Sequence, residues 1–318
     1  MNFLVTSAGR RVKLICCLRE TLGDKGRVIA VDCDATAPAL YAADGYELVP
    51  RIDHPDYIDA LLEICQRQQI DALFSLIDPE LSLLCRHVAA FQQIGVQVVV
   101  SPADAVEICL DKQATSAFLK QIGLPFIPTY TDWEDISTAL MHGNLSLPVL
   151  IKPRCGSASQ GIAIAESFDA LEHLFQTGND LVVQPYLQAA EYGVDAYVDL
   201  ISGELISVFA KRKLRMRAGE TDRSQAIHEE ALFSLLQQLI RSLPLRGPID
   251  IDCFKCGDQF VISEINPRFG GGYLHAYLCG ENYFSFMLAN LQGTANTPRI
   301  GTYPQGSILL KYDEVRLI

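Results

Sequence analysis

No stretch of this 318-residue chain reaches the roughly 18 consecutive apolar residues that a membrane-spanning helix needs, so no membrane span is expected. A broad basic surface is missing too. With 26 Lys and Arg against 38 Asp and Glu the net charge is −12, which argues against a general binder of nucleic acid. The same charge repels free nucleotide at long range. Any triphosphate site must then be local, built from a metal ion and a few placed cations. One basic run stands out, Lys211-Arg-Lys-Leu-Arg-Met-Arg217, which reads as a loop, either solvated or facing a phosphate.

The start, Met1-Asn-Phe-Leu-Val-Thr6, reads as a strand and carries neither a basic region nor a cleavage site. The ten cysteines therefore read as reduced thiols, and a cytoplasmic location is expected. Cys253 and Cys256 make one C-x-x-C, but there is no second pair to complete a zinc site. Cys155 has no His base close in sequence and reads as packing. The first turn has one glycine, Gly9, where a dinucleotide fingerprint needs three, and Arg10 and Arg11 would crowd the pyrophosphate path. No internal repeat and no low-complexity linker occur. What the chain does have is 49% hydrophobic and 20% charged residues, enough for two or three globular domains with ample core.

Residues 1–105 alternate short apolar runs with amphipathic ones. Phe3–Thr6, Val28–Val31, Ala72–Ser75 and Val96–Val100 read as buried parallel strands, with helices over Val12–Leu22, Pro55–Gln68 and Glu80–Gln93. This is the pattern of a doubly wound α/β domain, whose ligands bind at the carboxyl ends of the strands. There lie Ser7–Arg11, Asp32–Asp34 and Asp78–Glu80, and Arg10, Arg11 or Glu80 are the side chains best offered to an acceptor substrate. A helix follows over 111–125, stopped by Gly123 and Pro125. The strand Pro148–Pro153 ends in Lys152-Pro153 and leads into the Gly/Ser loop 154–161, then a strand at Ile162–Ala165. Strand, Gly/Ser loop, strand is a form that can close over phosphates with free backbone N–H groups. Further strands are expected at Leu181–Leu187, Val194–Ile201, Ile206–Lys211 and Ser307–Lys311, and helices at His228–Leu243 and Tyr283–Leu291.

The most informative stretch is Ile262-Ser-Glu-Ile-Asn-Pro-Arg-Phe-Gly-Gly-Gly272. On a strand, residues two apart share a face. Glu264, Asn266 and Arg268 therefore present a carboxylate, an amide oxygen and a guanidinium together. Hard oxygen ligands suit Mg²⁺ and a planar cation suits a phosphate. Upstream, Ile249-Asp-Ile-Asp-Cys-Phe254 offers Asp252 on a second strand. Antiparallel pairing of the two strands would gather Asp252, Glu264 and Asn266 against a nucleotide triphosphate.

Taken in order, the Asp111-Lys112 helix, Lys152-Pro153, the Gly/Ser loop, the strand at 181–187, Glu191, Asp252 and Glu264-x-Asn266-Pro-Arg268 resemble the ATP-grasp superfamily over essentially the whole chain. The nearest resemblance is to one ATP-grasp half of the carbamoyl phosphate synthase large subunit, with biotin carboxylase and D-alanine–D-alanine ligase more distant. The resemblance implies an α/β protein: an N-terminal Rossmann-like pre-ATP-grasp domain (1–105), then a two-lobed α+β ATP-grasp domain, its flap-bearing lobe at 106–185 and its metal-binding lobe at 186–318. It also implies site roles. Lys112 and Lys152 would reach the ATP phosphates, and Gly156, Ser157, Ser159 and Gly161 would cover them. Gln184, Tyr186 and Leu187 would line the hinge that reads adenine, with Glu191 near the ribose. Asp252, Glu264 and Asn266 would bind Mg²⁺, with Mn²⁺ the alternative ion. Arg268 would touch the γ-phosphate, with Arg217 near the active site.

The chemistry so implied is ATP-dependent ligation of a small carboxylate to an amine or ammonia through an acylphosphate. A small-molecule kinase and a non-catalytic ATP-binding regulatory module are the alternatives, and a homodimer is an assembly common among relatives. The chain also departs from the synthase. It has length for one half only, Gln184 stands where many relatives have glutamate, and Phe269-Gly-Gly-Gly272 replaces a Ser-rich turn. These departures point to another acceptor, such as an amino acid.

Overall fold

The computed structural model describes residues 1–156, 161–217 and 219–318. The chain opens with β1 (Phe3–Thr6), α1 (Val12–Leu22), β2 (Val28–Asp32), β3 (Gly45–Leu48), α2 (Tyr57–Gln68), β4 (Ala72–Ser75), α3 (Asp78–Gln93) and β5 (Gln97–Val98). These strands form an all-parallel sheet of order β3-β2-β1-β4-β5. β1 and β4 are buried at every position, as strands covered on both faces must be. β3 escapes the sequence reading because Gly45-Tyr-Glu-Leu48 has no apolar run and its side chains are at best half-buried. Asp32, at the end of β2, accepts the Gly9 amide at 2.8 Å and the Asp34 amide at 3.0 Å, so its carboxylate serves its own turn.

Two helices follow, α4 (Ala103–Leu110) and α5 (Lys112–Gln121). The Asp111 carboxylate caps α5 by accepting the amides of Gln113 and Ala114, which fixes the direction in which Lys112 leaves the first turn. Gly123, at φ +71, ends this stretch. A small lobe then combines α6 (Trp133–Met141), β6 (Val149–Pro153), β7 (Ala163–Ala165), α7 (Phe168–Thr177) and β8 (Leu181–Pro185), with an antiparallel sheet of order β7-β6-β8. Its own core holds Ile136, Val149, Ile151, Leu171 and Val183.

The rest is a six-stranded antiparallel sheet of order β13-β12-β9-β10-β11-β14. It is built from β9 (Ala190–Val198), β10 (Leu205–Arg217), β11 (Glu220–Ile227), β12 (Gly247–Cys256), β13 (Gln259–Asn266) and β14 (Ile308–Leu310), with α8 (Glu230–Ser242), α9 (Leu274–Leu278) and α10 (Tyr283–Leu291). The basic run expected as a loop is instead the outer half of β10, paired with β11 as far as Arg217 and Glu220. Its alternating charges concealed a strand whose first seven residues are buried and whose end is exposed. β11, polar from Glu220 to Gln225, also went unread. One apolar core joins the first sheet to this one: Phe74 meets Phe269 at 5.5 Å and Phe284 at 6.4 Å between ring centroids. Among the described residues no helix is long and apolar enough to cross a membrane.

Candidate functional site

One face of the six-stranded sheet collects the charge. In register, Gly193, Asp252 and Glu264 form a row across β9, β12 and β13, and Asp195, Asp250 and Asn266 form the next row. Alternation along each strand sends these side chains, with Glu191, Lys211 and Lys213, to the same side. Gly193 makes the crossing possible. A Cβ there would lie 3.1 Å from Lys211 Cε and 3.2 Å from Lys213 Cε, so its absence leaves a furrow for both lysine stems. Lys211 reaches Asp195 as a fully buried ion pair. Lys213 bridges two carboxylates, Glu191 Oε1 at 2.6 Å and Asp252 Oδ1 at 2.7 Å.

Glu264 is different. Among the described residues no hydrogen bond or ion pair holds its half-buried carboxylate. Burial raises its pKa first, Asp252 raises it further, and Lys112 and Lys152 pull it back. Lys152, half-buried at the end of β6, has its pKa lowered by burial and is surrounded by Glu264, Lys112, Asp252 and Glu191. The lysines of one lobe thus face the carboxylates of the other. Lys112 Nζ also donates to the carbonyls of Gly156 at 3.1 Å and Arg154 at 3.3 Å, at the edge of the Gly/Ser loop. Arg154 is tied to Asp111 at 2.5 Å. The Asn266 side chain is 6% exposed and has no hydrogen-bond partner among the described residues.

Arg268 sits at the end of this face, 9% exposed. Its Nη2 and Nε donate to Asp78 Oδ2 at 2.6 and 3.0 Å, Nη1 donates to the Phe269 carbonyl at 3.1 Å, and Asp250 Oδ2 lies at 3.5 Å. The glycines that follow let backbone lie directly on charged groups. A Cβ at Gly270 would collide with the Asp250 carboxylate, and one at Gly271 would lie 2.8 Å from Arg11 Nη1. Around Gly271, Glu220 meets Arg10 at 3.2 Å, Arg11 at 3.4 Å and Lys311 at 3.1 Å, and Lys311 Nζ donates to the Gly271 carbonyl at 2.7 Å.

Other expected residues lie elsewhere. Gln184 is buried on β8, its Nε2 donating to Thr129 Oγ1 at 2.7 Å. Tyr186 is exposed and Leu187 half-buried, just past β8. Gly156, at φ +133, and Gly161, at φ +68, flank the loop; Ser157 and Ser159 fall outside the described residues. Arg217 does not join the cluster. Its side chain is 47% exposed and pairs with Asp313 at 2.8 Å and Asp222 at 3.2 Å. Glu80 is not offered to a substrate either: fully buried, it accepts from Ser7 at 2.6 Å, Ser75 at 2.5 Å and Tyr57 at 2.7 Å, tying three elements together. Cys253 and Cys256, three apart on β12, point to opposite faces.

The sequence reading passed over Lys213, Asp250, Glu220 and Lys311. Asp250 was legible, since it alternates with Asp252. Lys213 was hidden inside the run taken for a loop, and Lys311 and Glu220 reach the site through tertiary folding alone.

The donor set fits a divalent ion in a particular way. Among the described residues no three His, Cys, Asp or Glu side chains form a ready cage. Glu264 and Asn266 are unpartnered oxygen donors beside Asp252. One or two carboxylates, with the remaining positions left to phosphate oxygens and water, is how Mg²⁺ is commonly held beside a nucleotide.

Two family models match the chain: the PylC-like N-terminal domain over residues 3–99, and "ATP-grasp in the biosynthetic pathway with Ter operon" over residues 177–310. The chain is similar to the carbamoyl phosphate synthase large chain of Agathobacter rectalis, 20% identical over 274 residues that cover 74% of this chain and 25% of the relative. It is also similar to the formate-dependent phosphoribosylglycinamide formyltransferase of Haemophilus ducreyi, 24% identical over 261 residues that cover 76% of this chain and 63% of the relative. The chain thus spans a quarter of the first relative and less than two thirds of the second. Among solved structures, the biotin carboxylase domain of Hydrogenobacter thermophilus 2-oxoglutarate carboxylase, in complex with MgADP, ADP and bicarbonate, matches with a TM-score of 0.77 at 16% identity, covering 96% of this chain and 73% of that one. That likeness establishes the fold.

Proposed function

We propose that this chain, an ATP-grasp protein resembling one half of the carbamoyl phosphate synthase large chain, is an ATP- and Mg²⁺-dependent carboxylate–amine ligase that works through an acylphosphate. The observation that carries the reading is the meeting of unpartnered Glu264 and Asn266 with Lys152 and Lys112 across the two lobes. A nucleotide triphosphate brings roughly four negative charges, and fixed cations in a partly desolvated cleft are worth several kcal/mol each at close range.

Lys112 and Lys152 bind the phosphates, and the loop from Gly156 to Gly161, with the Ser157 and Ser159 hydroxyls, covers them. Gln184, Tyr186 and Leu187 line the adenine end and Glu191 the ribose. Glu264, Asn266 and Asp252 would hold Mg²⁺, which when bound neutralises the charge on the β- and γ-phosphate oxygens. Arg268, locked by Asp78, directs its guanidinium at the phosphoryl group in transfer, where preformed charge lowers the barrier. The acceptor carboxylate lies toward Arg11 and Lys311, beside Gly271. Two cations with a share in a single carboxylate, Glu220, leave that wall positive. One carboxylate oxygen attacks the γ-phosphorus and ADP departs. The amine then attacks the acyl carbon, its C–O bond to phosphate breaks, and inorganic phosphate leaves.

An ADP-release screen with paired small carboxylates and amines, followed by mass spectrometry of the product, tests this. ADP formed only when both substrates are present is the expected result. ADP formed with one acceptor, giving a stable phosphorylated product, would make the protein a kinase. Nucleotide binding without turnover would make it a regulatory module.

A further inference from the structure

We propose that Lys213 is a positioning residue of the nucleotide site, an internal cation that holds Asp252 and Glu191 in place before nucleotide arrives and gives up Asp252 to the metal. The inference rests on the nucleotide reading above. Its ammonium lies 2.6 Å from Glu191 Oε1 and 2.7 Å from Asp252 Oδ1, and the side chain is 5% exposed. Two carboxylates at ion-pair distance compensate the burial of this ammonium. The stem runs over Gly193, where any Cβ would crowd it. This is a built position, reached across β9 from β10.

Lys213 also divides the two carboxylates of the row that runs from Gly193 through Asp252 to Glu264. Asp252 carries a resident counter-ion, while Glu264, directly across the strand pair, carries none among the described residues. A divalent ion entering from the Glu264 side must compete with an ammonium for Asp252 Oδ1. Metal-free nucleotide, by contrast, gains from that ammonium, because it adds a third cation to Lys112 and Lys152. The two affinities should therefore respond to loss of the Lys213 charge in opposite directions. A lysine with a purely structural role would move both the same way, since removing one partner of a buried pair weakens whatever the pair supports.

The experiment titrates wild type, Lys213→Met and Lys213→Arg with Mn²⁺ alone and, in chelator, with metal-free ATP. Metal binding is followed by electron paramagnetic resonance and nucleotide binding by calorimetry. Lys213→Met is expected to bind Mn²⁺ about tenfold more tightly and metal-free ATP about tenfold more weakly, with Lys213→Arg close to wild type on both. Should the methionine variant fail to fold, Lys213→Gln repeats the test, keeping hydrogen-bonding capacity and discarding the charge. Affinities that move together, or that do not move, overturn the assignment of Lys213 while wild-type binding keeps the site intact. A wild type that binds neither ligand overturns the nucleotide reading itself, and Lys213's role with it.

Discussion

Arg268 and Asp78 form a nearly buried ion pair in which Nη2 and Nε donate to the same oxygen, at 2.6 and 3.0 Å. It joins the turn after β13 to the first turn of α3, and so ties the charged face of the six-stranded sheet to the helices of the parallel sheet. Asp78 is well placed at a helix N-terminus, where negative charge is favoured. Its other oxygen, Oδ1, is buried without a partner among the described residues, so the carboxylate is committed to Arg268 on one side only.

Removing the cation should be costly. Arg268→Met takes the guanidinium away from both Asp78 and Asp250 and is expected to lower unfolding stability by about 3–5 kcal/mol. Asp78→Asn keeps an acceptor for the guanidinium and should cost about half as much, with a fall in turnover larger than any change in ATP affinity. Urea denaturation and steady-state kinetics on both variants check the order. Equal stability of Arg268→Met and wild type would contradict it.

Glu264→Gln should abolish Mg²⁺-dependent turnover and leave the melting temperature unchanged or slightly raised. The fold already disfavours that charge, through burial and then through Asp252. Thermal denaturation alongside the ADP assay separates the two effects, and unchanged activity would remove Glu264 from the metal site.

Lys152→Ala should weaken nucleotide binding by about ten- to a hundredfold while the fold holds, because no hydrogen bond or ion pair among the described residues depends on this ammonium. Calorimetry decides; equal affinity would argue against the interlobe cleft as the nucleotide site.

Stability should also carry the mark of Asp250. Burial, with Asp252 adding to it against Arg268, pushes this carboxyl up to about 7. An aspartate in the unfolded chain titrates near 4, about 3.9. Between these values the folded protein holds the extra proton, so this group makes stability fall as pH rises through the window and adds nothing further above it. His275, whose buried imidazole is pushed down to about 4, acts in the opposite sense over much of the same range. The variant Asp250→Asn isolates the first effect. Its stability relative to wild type should be greater at pH 7.5 than at pH 5, and parallel pH profiles would refute the assignment.

Gly271→Ala tests the acceptor wall. The added methyl would meet Arg11 Nη1 at 2.8 Å and the Glu220 carboxylate carbon at 2.9 Å. These side-chain ends can swing aside, so the change should cost little stability, but by displacing Arg11 and Glu220 it should raise the KM of the carboxylate far more than that of ATP. Equal effects on both substrates would place the acceptor elsewhere.

Much of this architecture was legible in the residues. Buried runs such as Phe3–Thr6 and Ala72–Ser75, and the amphipathic Val12–Leu22, announce a parallel sheet with its helices. Alternation of Asp252 on one strand and Glu264 and Asn266 on the next forecast their shared face, and the register sets Asp252 opposite Glu264. What stayed hidden follows from the physics of charge on strands. In β10 the lysines are buried by pairing with carboxylates on the neighbouring strand β9 and, for Lys213, on β12 beyond it, so their alternation looked like a solvated loop. Arg217 lies on the exposed end of that same strand and turns to Asp222 and Asp313. Glu80 looked like a free carboxylate at a strand end, yet three hydroxyls from separate elements consume it.

The most direct measurement follows oxygen. Once the screen identifies a carboxylate substrate, that carboxylate labelled with ¹⁸O is turned over with ATP, Mg²⁺ and the amine, and the released phosphate is weighed by mass spectrometry. Ligation through an acylphosphate predicts that each phosphate carries one labelled oxygen taken from the carboxylate. Phosphate free of label, released at the same rate as product, would contradict the account.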